Sequence, residues 1–219
     1  MLGTLWGRRW PAAALVAGIV LAGGAAAGCA ATRPPRHDYG TVPAAAALPT
    51  RHASHVASAG KTTTAGAAVS VTAVPVRVAI PALGVDAPVV PVGVAADGTL
   101  GIPAHPSVVG WWAGGSSPGR SSGATVLVGH VDSAAAGPGA LFRLPAIRPG
   151  EVVTVTAASR SWRYVVQAVR AYPKATLPAA RVFGQQVAPR LVIITCGGPF
   201  DAATGHYLDN IVVWAVPAR

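Results

Sequence analysis

Leu191-Val192-Ile193-Ile194-Thr195-Cys196-Gly197-Gly198 is the stretch on which the reading of this 219-residue chain turns. Its first five residues form a short, apolar, β-branched run of strand type, and the run ends on a thiol followed by two glycines. A second run of the same kind, Thr125-Val126-Leu127-Val128-Gly129, ends on His130 and continues into Val131-Asp132-Ser133. Two strands that each deliver one reactive side chain at their ends can assemble a cysteine–histidine pair, the sulfur attacking and the imidazole carrying the proton. The glycines after Cys196 read as room left for a substrate.

Cysteine arithmetic sharpens this. The only other cysteine, Cys29, lies far upstream in an apolar leader, so Cys196 has no intramolecular disulfide partner. A free thiol is either a small buried hydrophobe or a nucleophile, and the flanking Thr195, the glycine pair and the distant histidine favour the second. His130 reads as base and acid in turn. Asp132 either orients the imidazole or caps its own turn.

Working outward, the segment from residue 71 to 219 is a series of short β-branched runs cut by proline and glycine. Strands are expected at 74–80, 89–94, 108–112, 125–130, 152–156, 162–169, 191–195 and 211–216. Pro81, Gly84, Asp97-Gly98, Pro118-Gly119, Pro149-Gly150 and Gly197-Gly198 read as the separators. Eight strands at such intervals imply one all-β domain, a closed or nearly closed barrel, with one or two helical turns near 140–144 and 179–183.

The chain ahead of that domain reads as two further segments. Residues 1–32 carry Arg8 and Arg9 before an uncharged stretch from Trp10 to Thr32, about 30 Å or slightly more as a helix and enough to span a bilayer. The expectation is a retained single-pass membrane anchor with the domain outside the cytoplasm. A cleaved signal at Ala25-Ala26-Ala27 and a lipoprotein signal ending at Cys29 are the alternatives. Residues 33–70, rich in Ala, Thr, Pro, Ser and His, read as a disordered linker. His37, His52 and His55 in it have no acid or cysteine at ligand spacing, and no metal site is expected.

The formal charge of +10 comes from 15 Arg and 2 Lys against 7 acids, but the segment 71–219 carries only +5. No basic run interleaves with aromatics, so nucleic-acid binding is not expected. The acids are too sparse and scattered for a calcium site.

The stretch Ile80 to Val216 resembles a sortase. The resemblance is carried by Gly129-His130-Val131-Asp132-Ser133 and Ile194-Thr195-Cys196-Gly197-Gly198-Pro199-Phe200-Asp201, and these look most like the actinobacterial class F group. Ile80-Pro81-Ala82-Leu83-Gly84-Val85-Asp86-Ala87-Pro88, Gly110-Trp111-Trp112, Phe142 to Leu144 with Arg148-Pro149-Gly150, and Gly205-His206-Tyr207 add to it. It implies an eight-stranded barrel, a membrane-tethered location and cysteine transpeptidation without a cofactor. A sorting signal of Leu-Pro-x-Thr-Gly type would be cut between Thr and Gly through a Cys196 thioester, with His130 as proton carrier, and the acyl group passed to a cell-wall amine.

On the same resemblance Thr195 would line the oxyanion site through its backbone or hydroxyl. The family's arginine, roughly a dozen residues after the cysteine, falls on Leu208. Arg120, Arg143, Asn210 or His206 are the candidates to stand in for it. The chain is expected to act as a monomer. Two other readings compete. An L,D-transpeptidase would need an upstream His-Gly context that Ile194-Thr195-Cys196-Gly197 lacks. A catalytically silent barrel that only binds sorting-signal peptides is allowed by Leu208.

Overall fold

The computed structural model describes residues 38–44 and 73–219. The leader at 1–32 and the remainder of the linker segment lie outside the described residues. Eleven strands occur in chain order: β1 (Tyr39–Gly40), β2 (Arg77–Ile80), β3 (Val85–Val92), β4 (Val109–Trp112), β5 (Ala124–Val128), β6 (Asp132–Ser133), β7 (Gly137–Pro138), β8 (Val152–Ala157), β9 (Arg160–Pro173), β10 (Arg190–Asp201) and β11 (His206–Pro217). One short helix, α1 (Ala179–Val182), and three single-turn 3-10 segments complete the fold.

Eight of these strands close into a mixed barrel, in the order β9-β11-β10-β5-β4-β3-β2-β8 and back to β9. Two of its pairings, β5–β10 and β3–β4, are parallel and the rest antiparallel. All eight expected strands are present, and α1 falls where the second helical turn was expected. β6 and β7 form a separate two-residue hairpin just after His130.

The apolar run from Leu191 to Ile194 is continuous rather than alternating because β10 is covered on both faces. Leu191 and Ile193 point into the barrel with Leu127 and Val213. Val192 and Ile194 point outward with Val126, Val212 and Trp214, beneath Val182 of α1. Phe183 closes that outer layer edge-to-face on Trp112, ring centres 5.2 Å apart. Each fully buried aliphatic side chain contributes about 1.5–3 kcal/mol, so this doubly covered strand is a firmly held base from which to present a side chain.

Two expectations are corrected. Gly197-Gly198 does not end the strand: β10 continues to Asp201 and pairs with β11, with a bulge between Gly197 and Phe200. Gly198 adopts φ +74°, and a Cβ there would overlap the Asp209 carboxylate. The glycines therefore serve the approach of β10 to β11 rather than leaving space for a ligand.

The second correction concerns the linker, in which residues 38–44 form an ordered strap. β8 has already left β9 at Val165, and β1 pairs with the free edge beyond it, Tyr39 opposite Val169 and Gly40 opposite Ala168. The Ala171 amide donates to Asp38 Oδ1 (3.0 Å), and the Arg170 guanidinium donates to the Tyr39 and Gly40 carbonyls. Arg148 lies 4.2 Å over the Tyr39 ring. A segment poor in large apolar residues is held here by backbone pairing together with the side chains of Asp38, Tyr39 and Val42, which overall composition does not report.

Candidate active site

The parallel β5–β10 ladder pairs Arg190 with Ala124 and Ile194 with Val128. Carried two residues further, that register sets Cys196 beside His130. Two hydrogen bonds tie the strand ends at this point. The Gly129 amide donates to Ile194 O (3.1 Å), and the Thr195 hydroxyl donates to Gly129 O (2.9 Å). Cys196 and His130, both half-buried, line one cleft of about 610 Å³. A thiol and an imidazole reachable from one solvent-filled groove are the minimum that covalent acyl transfer requires.

His130 is oriented by a group the sequence reading missed. Its Nε2–H donates to the backbone carbonyl of Pro103, 2.9 Å away, in the loop between β3 and β4. That bond fixes the tautomer and leaves Nδ1 to accept a proton. No motif marks a carbonyl acceptor, so no sequence signal could have found it.

Asp132 neither orients the imidazole nor caps its own turn. Its Oδ2 accepts from the Tyr207 hydroxyl at 2.5 Å, and this bond, first among the causes, holds the phenol above its usual pKa. Tyr207 packs edge-to-face on Phe200 (5.1 Å), making one wall of the cleft. Thr195 is 1 % exposed, its hydroxyl is spent on Gly129, and it is not among the residues lining the cleft. Only its backbone remains for an oxyanion.

The candidates for the arginine role separate clearly. Leu208 is 49 % exposed on β11, and Asn210 is the direct cross-strand partner of Cys196. Arg120 lines recesses with Trp162, away from the thiol, and Arg143 lines a neighbouring recess with Asp86 and Ser107. His206 does line the cleft, and so does a cation the sequence reading did not consider, Lys174. Asp209 pairs with Pro173 across β9–β11, so Lys174 follows one step beyond, beside Leu208. It is the only lysine or arginine lining the cleft among the described residues. No group of three or more potential metal ligands occurs among the described residues.

Comparison with known proteins decides the family. The sortase domain model matches residues 78–218. The chain belongs to the sortase family. No curated protein sequence matches it. Among solved structures it resembles sortase A of Corynebacterium diphtheriae, lid mutant, with a TM-score of 0.53 and 17% identity over 67% of this chain and 70% of that one. It also resembles the group B Streptococcus pilus island 1 sortase C2, with a TM-score of 0.51 and 19% identity over 68% and 75% of the two chains. Sortase C-1 of Actinomyces oris gives a TM-score of 0.50 and 20% identity over 65% and 71%. At these identities the structural likeness shows a shared sortase fold.

Proposed function

We propose that this sortase is a class F-type cysteine transpeptidase that cleaves a Leu-Pro-x-Thr-Gly-type signal between Thr and Gly and transfers the acyl group to a cell-wall amine. The observation that carries the reading is the convergence of Cys196 and His130 on one cleft at the end of a doubly buried strand pair. The thiol proton passes to His130 Nδ1 as sulfur attacks the threonyl carbonyl. The tetrahedral intermediate collapses with loss of the C–N bond, and the imidazolium returns the proton to the departing glycyl amine. The acceptor amine then attacks the thioester, gives its proton to His130 and regenerates the thiol. Lys174 supplies the positive charge on the oxyanion side that Leu208 does not. The monomeric domain acts outside the cytoplasm, tethered by the segment at 1–32.

One observation favours a second reading. The apolar Leu208 at the place where the resemblance expects an arginine fits a barrel that binds sorting signals without cutting them. Incubating the protein with a labelled Leu-Pro-x-Thr-Gly peptide, with and without a diglycine or diaminopimelate acceptor, separates the two. Transpeptidation gives an intact-mass adduct that is absent in Cys196→Ala and discharged by the amine; peptide retained with no adduct establishes the silent binder.

A further inference from the structure

The strap ends beside two positive charges, one buried and one half-exposed. Arg181 on α1 donates through Nη2 to the Pro43 carbonyl (3.3 Å), and Arg190, the first residue of β10, donates through Nη2 to the next carbonyl, Ala44 (3.0 Å). Two guanidiniums bonded to consecutive carbonyls are near neighbours. Arg190 is only 2 % exposed, and its Nε is spent on Ala188 O (3.3 Å). Its Nη1 and the Nε of Arg181 are buried with no hydrogen-bond partner among the described residues. Burial, and after it the charge of Arg181, pushes the Arg190 pKa down.

Neutral carbonyls do not compensate these two cations, and no carboxylate among the described residues forms an ion pair with either, that of the C-terminal Arg219, which lines a recess with Arg190, included. Asp38 is bonded to the Ala171 amide, Asp86 to Arg77, Asp132 to Tyr207 and Glu151 to the Arg148 amide. Asp97 and Asp201 close turns, and Asp209 lies against Gly198 at the catalytic end. Residues 45–72 contain no acid at all.

We propose that Arg181 and Arg190 form a binding site for one small phosphate-class oxyanion, which clips residues 43–44 to the start of β10. Forked N–H donors on two neighbouring guanidiniums match the oxygens of a tetrahedral dianion in geometry and in charge. The half-exposed Arg181 is the way in. The site stands apart from the catalytic cleft and does not depend on the transpeptidase reading.

The test is calorimetric titration of the full-length chain in neutral detergent with inorganic phosphate, against chloride at equal ionic strength, with amide exchange followed over residues 38–44. A single saturable phosphate site that slows exchange in the strap is expected. Arg190→Met removes it. Arg181→Gln, a milder change at a half-exposed position, weakens it about tenfold or more, and Cys196→Ala leaves it unchanged.

Glycerol 3-phosphate and phosphatidylglycerol vesicles in phosphate-free buffer, with phosphatidylcholine vesicles as control, identify the source. Protection by the soluble ions alone assigns a free anion, and protection by the anionic vesicles assigns a headgroup; either supports the site. Phosphate and chloride giving the same response, or Arg181→Gln and Arg190→Met binding as tightly as the parent, overturns it.

Discussion

At the start of the β5–β10 pair Ala124 and Arg190 are fully buried beneath the strap and α1; just past its finish His130 and Cys196 are half-buried on an open cleft. The starting end is fixed by backbone pairing, carbonyl–guanidinium bonds and the Trp214 layer. The finishing end is tied by two bonds, Gly129 N–H to Ile194 O and Thr195 to Gly129 O, beyond which His130 and Cys196 have left the β5–β10 ladder, Cys196 staying paired with Asn210 of β11. The difference shows how one pair of strands can be anchored at one end and present a thiol and an imidazole to a cleft at the other. Changes at the finish should move rates with little effect on stability, and changes at the start should do the reverse.

The largest separation is expected for His130→Gln. Removing the proton carrier should lower the rate of adduct formation with a sorting-signal peptide by about 10²–10⁴, with the urea midpoint unchanged. A comparable loss of stability would make His130 a structural residue and break the contrast between the two ends.

Lys174→Met comes next, with an expected loss of about 10²–10³ in kcat and a smaller change in KM, and with Lys174→Arg retaining most of the rate. Stopped-flow adduct kinetics on both variants distinguish a group acting on the oxyanion from one that only binds the peptide. Equal kinetics for Lys174→Met and parent would return the role to backbone donors.

Gly40→Ala probes the other end. Gly40 sits at φ +73°, where a Cβ would overlap the Gln167 carbonyl, so the strap must peel away or strain, at a cost of roughly 1–3 kcal/mol. The expected result is a lower urea midpoint with adduct formation unchanged below the transition. A slower rate at full folding would mean that the strap reaches the chemistry.

Much of this organisation was legible in the chain. The β-branched runs reported their strands because burial and strand propensity coincide there, and the runs ending in His130 and Cys196 reported a thiol and an imidazole on one cleft because both strands carry those side chains just past the β5–β10 ladder. What stayed hidden was carried by backbone or by register. The Pro103 carbonyl has no motif. The strap at 38–44 pairs through amides and carbonyls that any residue supplies. Lys174 reaches the cleft only through the β9–β11 alignment, which joins residues far apart in sequence. Gly197-Gly198 misled because glycine at a bulge and glycine at a turn look the same in one dimension.

Thr195→Val tests the join between the two ends. It is nearly isosteric, deletes the bond to Gly129 O and leaves a buried carbonyl unsatisfied, so about 1–3 kcal/mol of stability should be lost. Because Gly129 precedes His130, kcat should fall as well while KM holds. A loss of stability alone would show that His130 is placed by the Pro103 carbonyl without help from the strand end.

The smallest effect is expected at Asp201, at the tip of the β10–β11 hairpin. It accepts from the Ala203 amide (2.9 Å) and the Thr204 hydroxyl (2.9 Å), and these bonds, the amide first, hold its pKa below the ordinary 3.8. A carboxyl with a depressed folded pKa stabilises the fold above its unfolded value, and that contribution disappears as pH falls through the folded value. Asp201→Asn keeps the turn and removes the charge. The parent should therefore be slightly more stable than the variant near neutral pH, with the gap closing below the ordinary carboxylate value. Because the carboxyl is open to solvent at the hairpin tip, added salt should shrink the gap at every pH. A gap that persists in acid would assign the turn's stability to its geometry, leaving the finishing end of the barrel independent of charge.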